Sequence, residues 1–239
     1  MIASVLRVSG LQRRFGGVMA VDDVSLDLAE GELHAVIGPN GAGKTTLIQL
    51  LSGALKPSAG SIALDGRDIT SLPMHRRVRL GLARSYQITS LFPNFTVREN
   101  VALALQGAGR PDGQDHARAE LDAVGLGSHA DRLAGELAHG ERRQLELGLA
   151  LATGARILLL DEPMAGMGPE EAARIVGLIE TLKGRRTILL VEHDMDAVFR
   201  LADRISTLVY GRVIASGSPD DIRRHPEVRR AYLGEESPA

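Results

Sequence analysis

Apolar residues first alternate with polar ones and then run together through VDDVSLDLAEGELHAVIG, residues 21–38. This pattern predicts strands that begin half exposed and end buried. The next apolar segment, TTLIQLLSGAL at residues 45–55, predicts a helix. A short strand and turn are predicted at residues 60–69, and a further mixed element at residues 73–87.

The second half of the chain places apolar strands on either side of a helix. Residues 155–163 (ARILLLDEP) and 186–194 (RTILLVEHD) predict buried strands, and a helix is predicted between them from about residue 170 to 183. Residues 106–115 are rich in Gly, Pro and Asp, which predicts a surface loop inside a helix-rich insert. Strands that alternate with helices indicate a mostly parallel sheet, whose ligands lie beyond the carboxyl ends of the strands.

The composition narrows the class of protein. With 239 residues, of which 44% are hydrophobic, the chain can bury a full core as one large domain, alone or with an inserted subdomain. The absence of cysteine excludes disulfides and thiolate metal sites, and it indicates a reducing compartment. A formal net charge of −2 does not favour nucleic acid as a partner.

The apolar segments do not predict a membrane protein. Near the N-terminus the basic residues follow a short apolar stretch, which is the reverse of a secretory signal. Charged residues interrupt each longer apolar segment. We therefore expect a cytosolic chain that does not span a membrane.

The segment GPNGAGKTT, residues 38–46, carries the strongest chemical signal. It fits the phosphate-loop pattern G-x4-G-K-T between a predicted strand and a predicted helix. The glycines let backbone N–H groups point at phosphate oxygens, and the following helix adds its positive N-terminal end. Lys44 is expected to reach the β- and γ-phosphates and the Thr45 hydroxyl to bind Mg²⁺. The other residues expected around the nucleotide are Gly38, Pro39, Asn40, Gly41, Ala42, Gly43 and Thr46.

The predicted strand ILLLDEP delivers two carboxylates together at its carboxyl end. Asp161 is expected to hold Mg²⁺ through water, and Glu162 to orient or deprotonate the attacking water. A strand that merely ends in solvated charge is the alternative, and the nearby phosphate loop disfavours it. Together the two motifs predict a nucleoside triphosphate site.

These motifs, with three others, resemble those of the nucleotide-binding subunits of ABC transporters, in the same order and over essentially the whole chain. Gln87 in RSYQIT matches the Q-loop, LAHGE at residues 137–141 the signature motif, and His193 in LVEHD the switch histidine. The resemblance implies that Gln87 contributes to Mg²⁺ binding and catalysis, and that His193 contacts the γ-phosphate. Phe15 in RRFGGVMAV matches the aromatic that stacks on adenine, with a plain core phenylalanine as the alternative.

The resemblance also implies the fold. We expect an α/β protein with a P-loop NTPase core, a mostly parallel sheet, an antiparallel β part and an inserted α-helical subdomain. One domain spans residues 1–239, with its nucleotide-binding core at 1–87 and 150–239. The helical insert, at about residues 88–149, carries the signature motif.

In this family the signature segment begins a helix that faces the γ-phosphate held by the opposite subunit. Two ATP molecules are therefore implied to lie between two subunits in a head-to-tail dimer. Gly140 keeps the backbone close to phosphate, while exposed N–H groups and the helix dipole attract the anion. The residues implied in this contact are Ala138, His139, Gly140 and Glu141.

Some residues depart from the family pattern. Ala138 stands where the signature serine is usual, which removes a hydroxyl hydrogen bond worth roughly 0.5–3 kcal/mol. His139 stands where glycine is common, and it either donates in compensation or is simply exposed. Gly168 replaces an aspartate that is frequent after DEP, so communication between the two sites is expected to differ.

Other charged residues have plainer interpretations. Arg142 and Arg143 lie in the first turn of the predicted signature helix, where cations oppose the helix dipole. They are either solvated surface charges or neighbours of phosphate or of a partner's acids. Five further histidines show no spacing typical of a metal site, namely His34, His75, His116, His129 and His225.

The segments LFPNFTVRENV and LVEHDM and the tail at residues 210–236 are most similar to the ATPases of branched-chain amino-acid importers. This implies a peripheral protein on the cytoplasmic face of the membrane, with a second ATPase subunit, two permease subunits and, indirectly, a solute-binding protein. The apolar SLFPNF segment is either a docking surface for a permease helix or ordinary core. An importer for another solute and a soluble ABC ATPase outside transport both stay open, because no residue named here contacts a solute.

Overall fold

A computed structural model describes residues 4–85, 91–110 and 114–233. The first half of the chain contains most of the antiparallel strands. Its elements are β1 (Ser4–Phe15), β2 (Val18–Ala29), β3 (Leu33–Ile37), α1 (Lys44–Ser52), β4 (Ala59–Leu64), β5 (Arg67–Asp68), α2 (Met74–Arg79) and β6 (Leu82–Arg84).

The second half contains most of the helices. Its elements are α3 (Val97–Gly107), α4 (Gln114–Ala123), α5 (His139–Ala152), β7 (Ile157–Asp161), α6 (Pro169–Leu182), β8 (Thr187–Val191), α7 (Met195–Leu201), β9 (Arg204–Val209), β10 (Arg212–Gly217), α8 (Pro219–Arg224) and α9 (Pro226–Val228). Short 3₁₀ turns at Gly127–His129 and Ala134–Glu136 lead into α5, and a π-helical turn at Arg229–Leu233 follows α9. No helix among these described residues is long and apolar enough to cross a bilayer.

Two sheets form the framework. The larger has the order β10-β9-β3-β8-β7-β6, in which every neighbouring pair is parallel except β9 and β10. The smaller is antiparallel, with the order β2-β1-β4-β5. The prediction of a mostly parallel sheet with an antiparallel β part is confirmed.

The three central strands of the larger sheet are buried at every position, because apolar layers cover both faces. Successive side chains point to opposite faces, so Leu158 and Leu160 join the layer packed with α3 to α7, whereas Ile157 and Leu159 join the layer packed with α1 and the antiparallel sheet. Because β3, β7 and β8 run parallel, the segments that follow them emerge together at one edge of the sheet.

The helix-rich insert lies between β6 and β7. The predicted insert, about residues 88–149, contains α3, α4 and most of α5, but its end falls inside α5, which continues to Ala152. The division of the domain into a core and an insert stays a prediction.

Candidate functional site

The segment between β3 and α1 is a glycine loop at the carboxyl edge of the parallel sheet. Gly38 and Gly43 have φ angles of +153° and +104°, which disfavour residues with a side chain. A Cβ atom at Gly38 would lie 2.0 Å from the Leu208 carbonyl oxygen, and one at Gly43 would lie 2.1 Å from the Ala20 carbonyl oxygen. Close packing against β9 and β2 therefore requires both glycines.

Helix α1 begins directly after this loop. Gly43, its N-cap residue, offers no side-chain acceptor, and the first turn has no acidic residue. The first N–H groups and the positive end of the helix dipole are thus available to an anion. A cavity of about 240 Å³ lies here, lined by Ala20, Asn40, Gly41, Ala42, Gly43, Lys44, Thr45, Thr46 and Glu162.

Lys44 is held over the loop. Its Nζ donates to the carbonyl oxygens of Gly38 at 2.6 Å and Pro39 at 3.0 Å. Burial lowers the pKa of Lys44, while Glu162 and Asp161 act in the opposite direction. The lysine is therefore a partly desolvated cation in the wall of the cavity.

Asp161 ends β7 and is completely buried. Its Oδ2 accepts from Arg84 Nη2 at 3.0 Å, whereas Oδ1 is buried and has no hydrogen-bond partner among the described residues. Burial raises the pKa of Asp161, and Arg84 opposes that shift. An unpartnered buried carboxylate oxygen is costly unless a cation or water binds it, so Asp161 fits a Mg²⁺ site.

Glu162 follows in a constrained turn and lines the same cavity. Its φ of +47° is uncommon for a residue other than glycine. The Glu162 N–H donates to the Val191 carbonyl at 2.8 Å, and its own carbonyl accepts from Ala165 N at 3.1 Å and Arg143 Nη2 at 3.2 Å. Backbone contacts on both sides thus hold the turn that presents this carboxylate.

His193 lies two residues beyond the end of β8, the strand adjacent to β7. Its side chain is 59% exposed and does not line the glycine-loop cavity. The preceding residue, Glu192, is completely buried and accepts N–H groups from Met164, His193 and Asp194. This role of Glu192 was not predicted from the sequence. The available signal was the position of a carboxylate directly after a buried strand and before a candidate histidine.

The signature segment begins α5. Ala138 is the N-cap and has no side-chain acceptor, but its N–H donates to Glu141 Oε2 at 2.8 Å. The Gly140 N–H donates to Glu171 Oε1 at 3.3 Å, and the His139 side chain is exposed. Ala138, Gly140 and Glu141 line a second cavity of about 290 Å³, and none of the four residues 138–141 lines the glycine-loop cavity of the same chain.

The two arginines of α5 bond within their own chain. Arg142 Nε donates to the Leu137 carbonyl at 2.9 Å, while Arg143 Nη1 donates to Glu146 Oε2 at 2.6 Å. Only 11% of the Arg143 side chain is exposed. The interpretation of Arg143 as a solvated surface charge is therefore wrong, because it pairs with Glu146 within α5 and ties the helix to the Glu162 carbonyl.

Phe15 lies apart from this cluster. Phe15, at the end of β1, is 45% exposed, so the alternative of a plain core phenylalanine is wrong. The Arg13 guanidinium lies over its ring at 4.7 Å from the centroid, and Phe15 does not line the glycine-loop cavity. Gln87 lies outside the described residues.

A glycine loop after a central parallel strand, with two acids at the carboxyl end of β7, which is separated from β3 by β8, defines a P-loop nucleotide-binding protein. Residues 21–165 match the family of ABC transporters, and residues 212–237 match the family described as branched-chain amino acid ATP-binding cassette transporter. The chain belongs to the ABC transporter family, whose ATP-binding cassettes hydrolyse ATP to drive transport.

Individual relatives agree with this assignment. The chain is 41% identical to LivG of Salmonella typhimurium, a high-affinity branched-chain amino acid transport ATP-binding protein, over 97% of this chain and 98% of LivG. It is 40% identical to BraF of Pseudomonas aeruginosa, which carries the same description, over 97% of this chain and 98% of BraF. A crystal structure of an ATP-binding cassette of an ABC transporter in its ADP conformation superposes with a TM-score of 0.87 at 30% identity, covering 98% of this chain and 100% of that chain.

Proposed function

We propose that this chain is the ATP-hydrolysing subunit of an ABC importer for branched-chain amino acids. The match of residues 212–237 to a branched-chain family supports this solute class, as do the two relatives described as branched-chain amino acid transport proteins. In this proposal the chain is peripheral, held at the cytoplasmic face by two permease subunits that receive solute from a binding protein. Its substrate is ATP, and nucleic acid is not among its proposed partners.

The glycine-loop cavity would hold the triphosphate of ATP. Residues 38–46 would supply backbone N–H groups, and Lys44 would turn from its carbonyl partners to the β- and γ-phosphates. Asp161, Thr45 and Gln87 would hold Mg²⁺, which when bound neutralises phosphate charge. Phe15 would stack on adenine with the ring face that Arg13 leaves open.

Glu162 and His193 would act on the attacking water. Glu162 is the carboxylate in the cavity wall, and we assign it the role of general base. His193 would bind the γ-phosphate, with Gln87 beside it. Because Glu162 and His193 follow neighbouring parallel strands, they can serve the same phosphate.

The geometry of the signature segment supports the proposal of a head-to-tail dimer. Residues 138–141 open a helix whose N-cap offers no side-chain acceptor, yet they do not line the nucleotide cavity of their own chain. A second ATPase subunit, either a copy or a relative, would bring its bound phosphate to this end of α5. Ala138, His139, Gly140 and Glu141 would then complete the partner's site.

An apolar surface after Gln87 would contact the permease. Phe92 and Phe95 are 54% and 41% exposed, and their rings stack with centroids 5.3 Å apart. Asn100 ties the segment to α3, because its side chain accepts from the Phe92 N–H at 2.8 Å and donates to the Phe92 carbonyl at 3.1 Å. An exposed aromatic pair on a segment held in this way suits the apolar face of a cytoplasmic permease helix.

Reconstitution tests the function directly. The complex that co-purifies with this chain from its native membrane is placed in vesicles that contain MgATP, and uptake of labelled leucine, isoleucine and valine is measured. Glu162→Gln should bind ATP normally yet hydrolyse it and import leucine at least about a hundredfold more slowly, since a positioned base contributes roughly 10²- to 10⁴-fold. ATP-dependent uptake of a different solute would overturn the solute class, and a complex without permeases would favour a soluble ABC ATPase.

A further inference from the structure

Glu192 is a fully buried carboxylate between the two turns that carry the candidate catalytic residues. It directly follows β8, and its side chain is 0% exposed. No arginine or lysine within residues 4–85, 91–110 or 114–233 forms an ion pair with it, and His193 Nδ1 lies 3.6 Å from its Oε2. Burying a carboxylate without a cation is costly, so packing alone does not account for this residue.

Backbone N–H groups compensate the Glu192 carboxylate, and they come from both turns. Oε1 accepts from Met164 N at 3.1 Å, in the turn after β7. Oε2 accepts from His193 N at 2.9 Å and from Asp194 N at 3.4 Å, in the turn after β8. One side chain therefore joins the segment after Glu162 to the segment that contains His193.

The strand pairing brings the two turns close enough for one side chain to contact both. Asp161 pairs with Val191 in the parallel ladder, and the Glu162 N–H donates to the Val191 carbonyl at 2.8 Å. Beyond this point the ladder ends, and the two turns are no longer joined by strand hydrogen bonds. The Glu192 carboxylate continues the connection past the end of the sheet.

We propose that Glu192 is a positioning residue that fixes Glu162 and His193 relative to each other. The inference deepens the proposed function, because it rests on the catalytic roles given there to Glu162 and His193. A displacement of either turn breaks hydrogen bonds to the shared carboxylate, so the general base and the phosphate-binding histidine move as one unit. A glutamine retains one carbonyl oxygen and places an NH₂ group where the second acceptor was, so it can serve only one of the two turns.

Hydrogen exchange tests the bridge without requiring activity. In Glu192→Gln, the Met164 amide or the His193 and Asp194 amides should exchange at least about tenfold faster, because one turn loses its acceptor. Glu180→Gln is the matched control, since Glu180 is an exposed acid that pairs with Arg200 on the surface. Unchanged protection of all three amides would overturn the bridge.

Kinetics test the positioning role. Glu192→Gln should lower kcat at least about tenfold and leave the Kd of a non-hydrolysable ATP analogue within about twofold. In a Glu162→Gln background the same substitution should change the residual rate less than about twofold, because one of the two groups whose relative position it fixes has been removed. An equal loss of rate in both backgrounds would mean that Glu192 acts independently of Glu162, and the proposal would fail.

One further variant, together with wild type and Glu162→Gln, distinguishes failure of the positioning proposal from failure of the proposed function. Glu192→Asp retains the carboxylate on a shorter side chain, so it should keep more activity than Glu192→Gln; the reverse order would count against the shared-acceptor role. If wild type binds ATP analogue but hydrolyses no ATP, the proposed function fails and the hydrogen-exchange result still decides whether Glu192 joins the turns. If wild type and Glu162→Gln behave as proposed while Glu192→Gln hydrolyses ATP normally, only the positioning proposal fails.

Discussion

The Gly140 N–H donates to Glu171 Oε1 at 3.3 Å, so the glycine of the signature motif contacts a carboxylate of its own chain. A Cβ atom on Gly140 would lie 2.8 Å from that oxygen. Glu171 presents the end of a flexible side chain, and the cavity beside it gives the carboxylate room to rotate away. Contacts within the chain therefore do not require glycine at this position, whereas the approach of a partner's phosphate would.

Gly140→Ala separates these two requirements. We expect the free energy of unfolding in urea to change by less than about 1 kcal/mol, because Glu171 can rotate and alanine has the higher helix propensity. ATP hydrolysis should fall at least about tenfold, because the methyl group holds the partner's phosphate away from the N–H. Gly177→Ala in α6 is the control, since a Cβ there meets nothing within 4 Å. Hydrolysis at the wild-type rate by Gly140→Ala would contradict the assignment.

Phe15→Ala should weaken binding of ATP and GTP alike. Stacking on an aromatic ring is worth roughly 1–3 kcal/mol and depends little on the hydrogen-bond pattern of the base. Equilibrium titration with non-hydrolysable analogues of both nucleotides measures the effect. Phe92→Ala is the matched control, because Phe92 is also exposed but lies on the proposed permease surface. A strong preference for ATP that survives the loss of Phe15 would place adenine recognition elsewhere.

Much of the fold was predictable because its signals are local in sequence. The continuous apolar runs predict β3, β7 and β8, which the structure places at residues 33–37, 157–161 and 187–191. The glycine pattern predicts the loop between β3 and α1, since a strand before it and a helix after it are both visible in the sequence. These predictions need only the spacing of neighbouring residues.

The contacts that organise the site were not predictable, because they join residues distant in sequence. Arg84 and Asp161 are 77 positions apart, and Met164 and Glu192 are 28 apart. Each pair meets only because β7 lies between β6 and β8 in the sheet. Apolar periodicity predicts that a strand is buried, but it does not determine which strand lies beside it. The bond from Arg143 to the Glu162 carbonyl was not predictable for the same reason, since Glu162 follows β7, which lies outside α5.

His34 should make the protein sensitive to acid. It is buried in β3 and shares a hydrogen bond of 2.8 Å with Ser206 Oγ. Burial, and then Arg204, lower its pKa to about 4, while Glu32 and a backbone contact at Asp27 oppose the shift. Between this pKa and its usual value of 6.5 the unfolded chain binds a proton that the folded chain does not, so stability falls as the pH falls through this range.

The titration of His34 should lower the free energy of unfolding by about 2 kcal/mol between neutral pH and pH 5. His34→Phe removes the titrating group and keeps a ring of similar size, while Ser206 retains its bond to Ser216 at 2.9 Å. Urea unfolding at pH 7.5 and pH 5 should therefore show a smaller loss of stability for His34→Phe than for wild type. Equal losses would show that carboxylates, and not His34, cause the sensitivity to acid.

A mixed dimer tests whether Gly140 serves the nucleotide of its own chain or that of its partner. One subunit carries Lys44→Ala, which disables its phosphate loop, and the other carries Gly140→Ala. If α5 completes the partner's site, both defects fall in one site, and the other keeps an intact Lys44 from one chain and an intact Gly140 from its mate. If α5 acts on its own chain, each site carries one defect. When the native partner is a related ATPase, the glycine substitution is placed at its corresponding position.

Nucleotide trapped with vanadate is the appropriate readout, because steady turnover can require two competent sites. Each homodimer should trap almost none, since both of its sites carry the same defect. The mixed dimer should recover about one nucleotide per dimer, because the head-to-tail arrangement leaves one site intact. Size-exclusion chromatography with differently tagged subunits verifies that mixed dimers form. Trapping that stays at the homodimer level in verified mixed dimers would show that residues 137–141 do not complete the partner's ATP site.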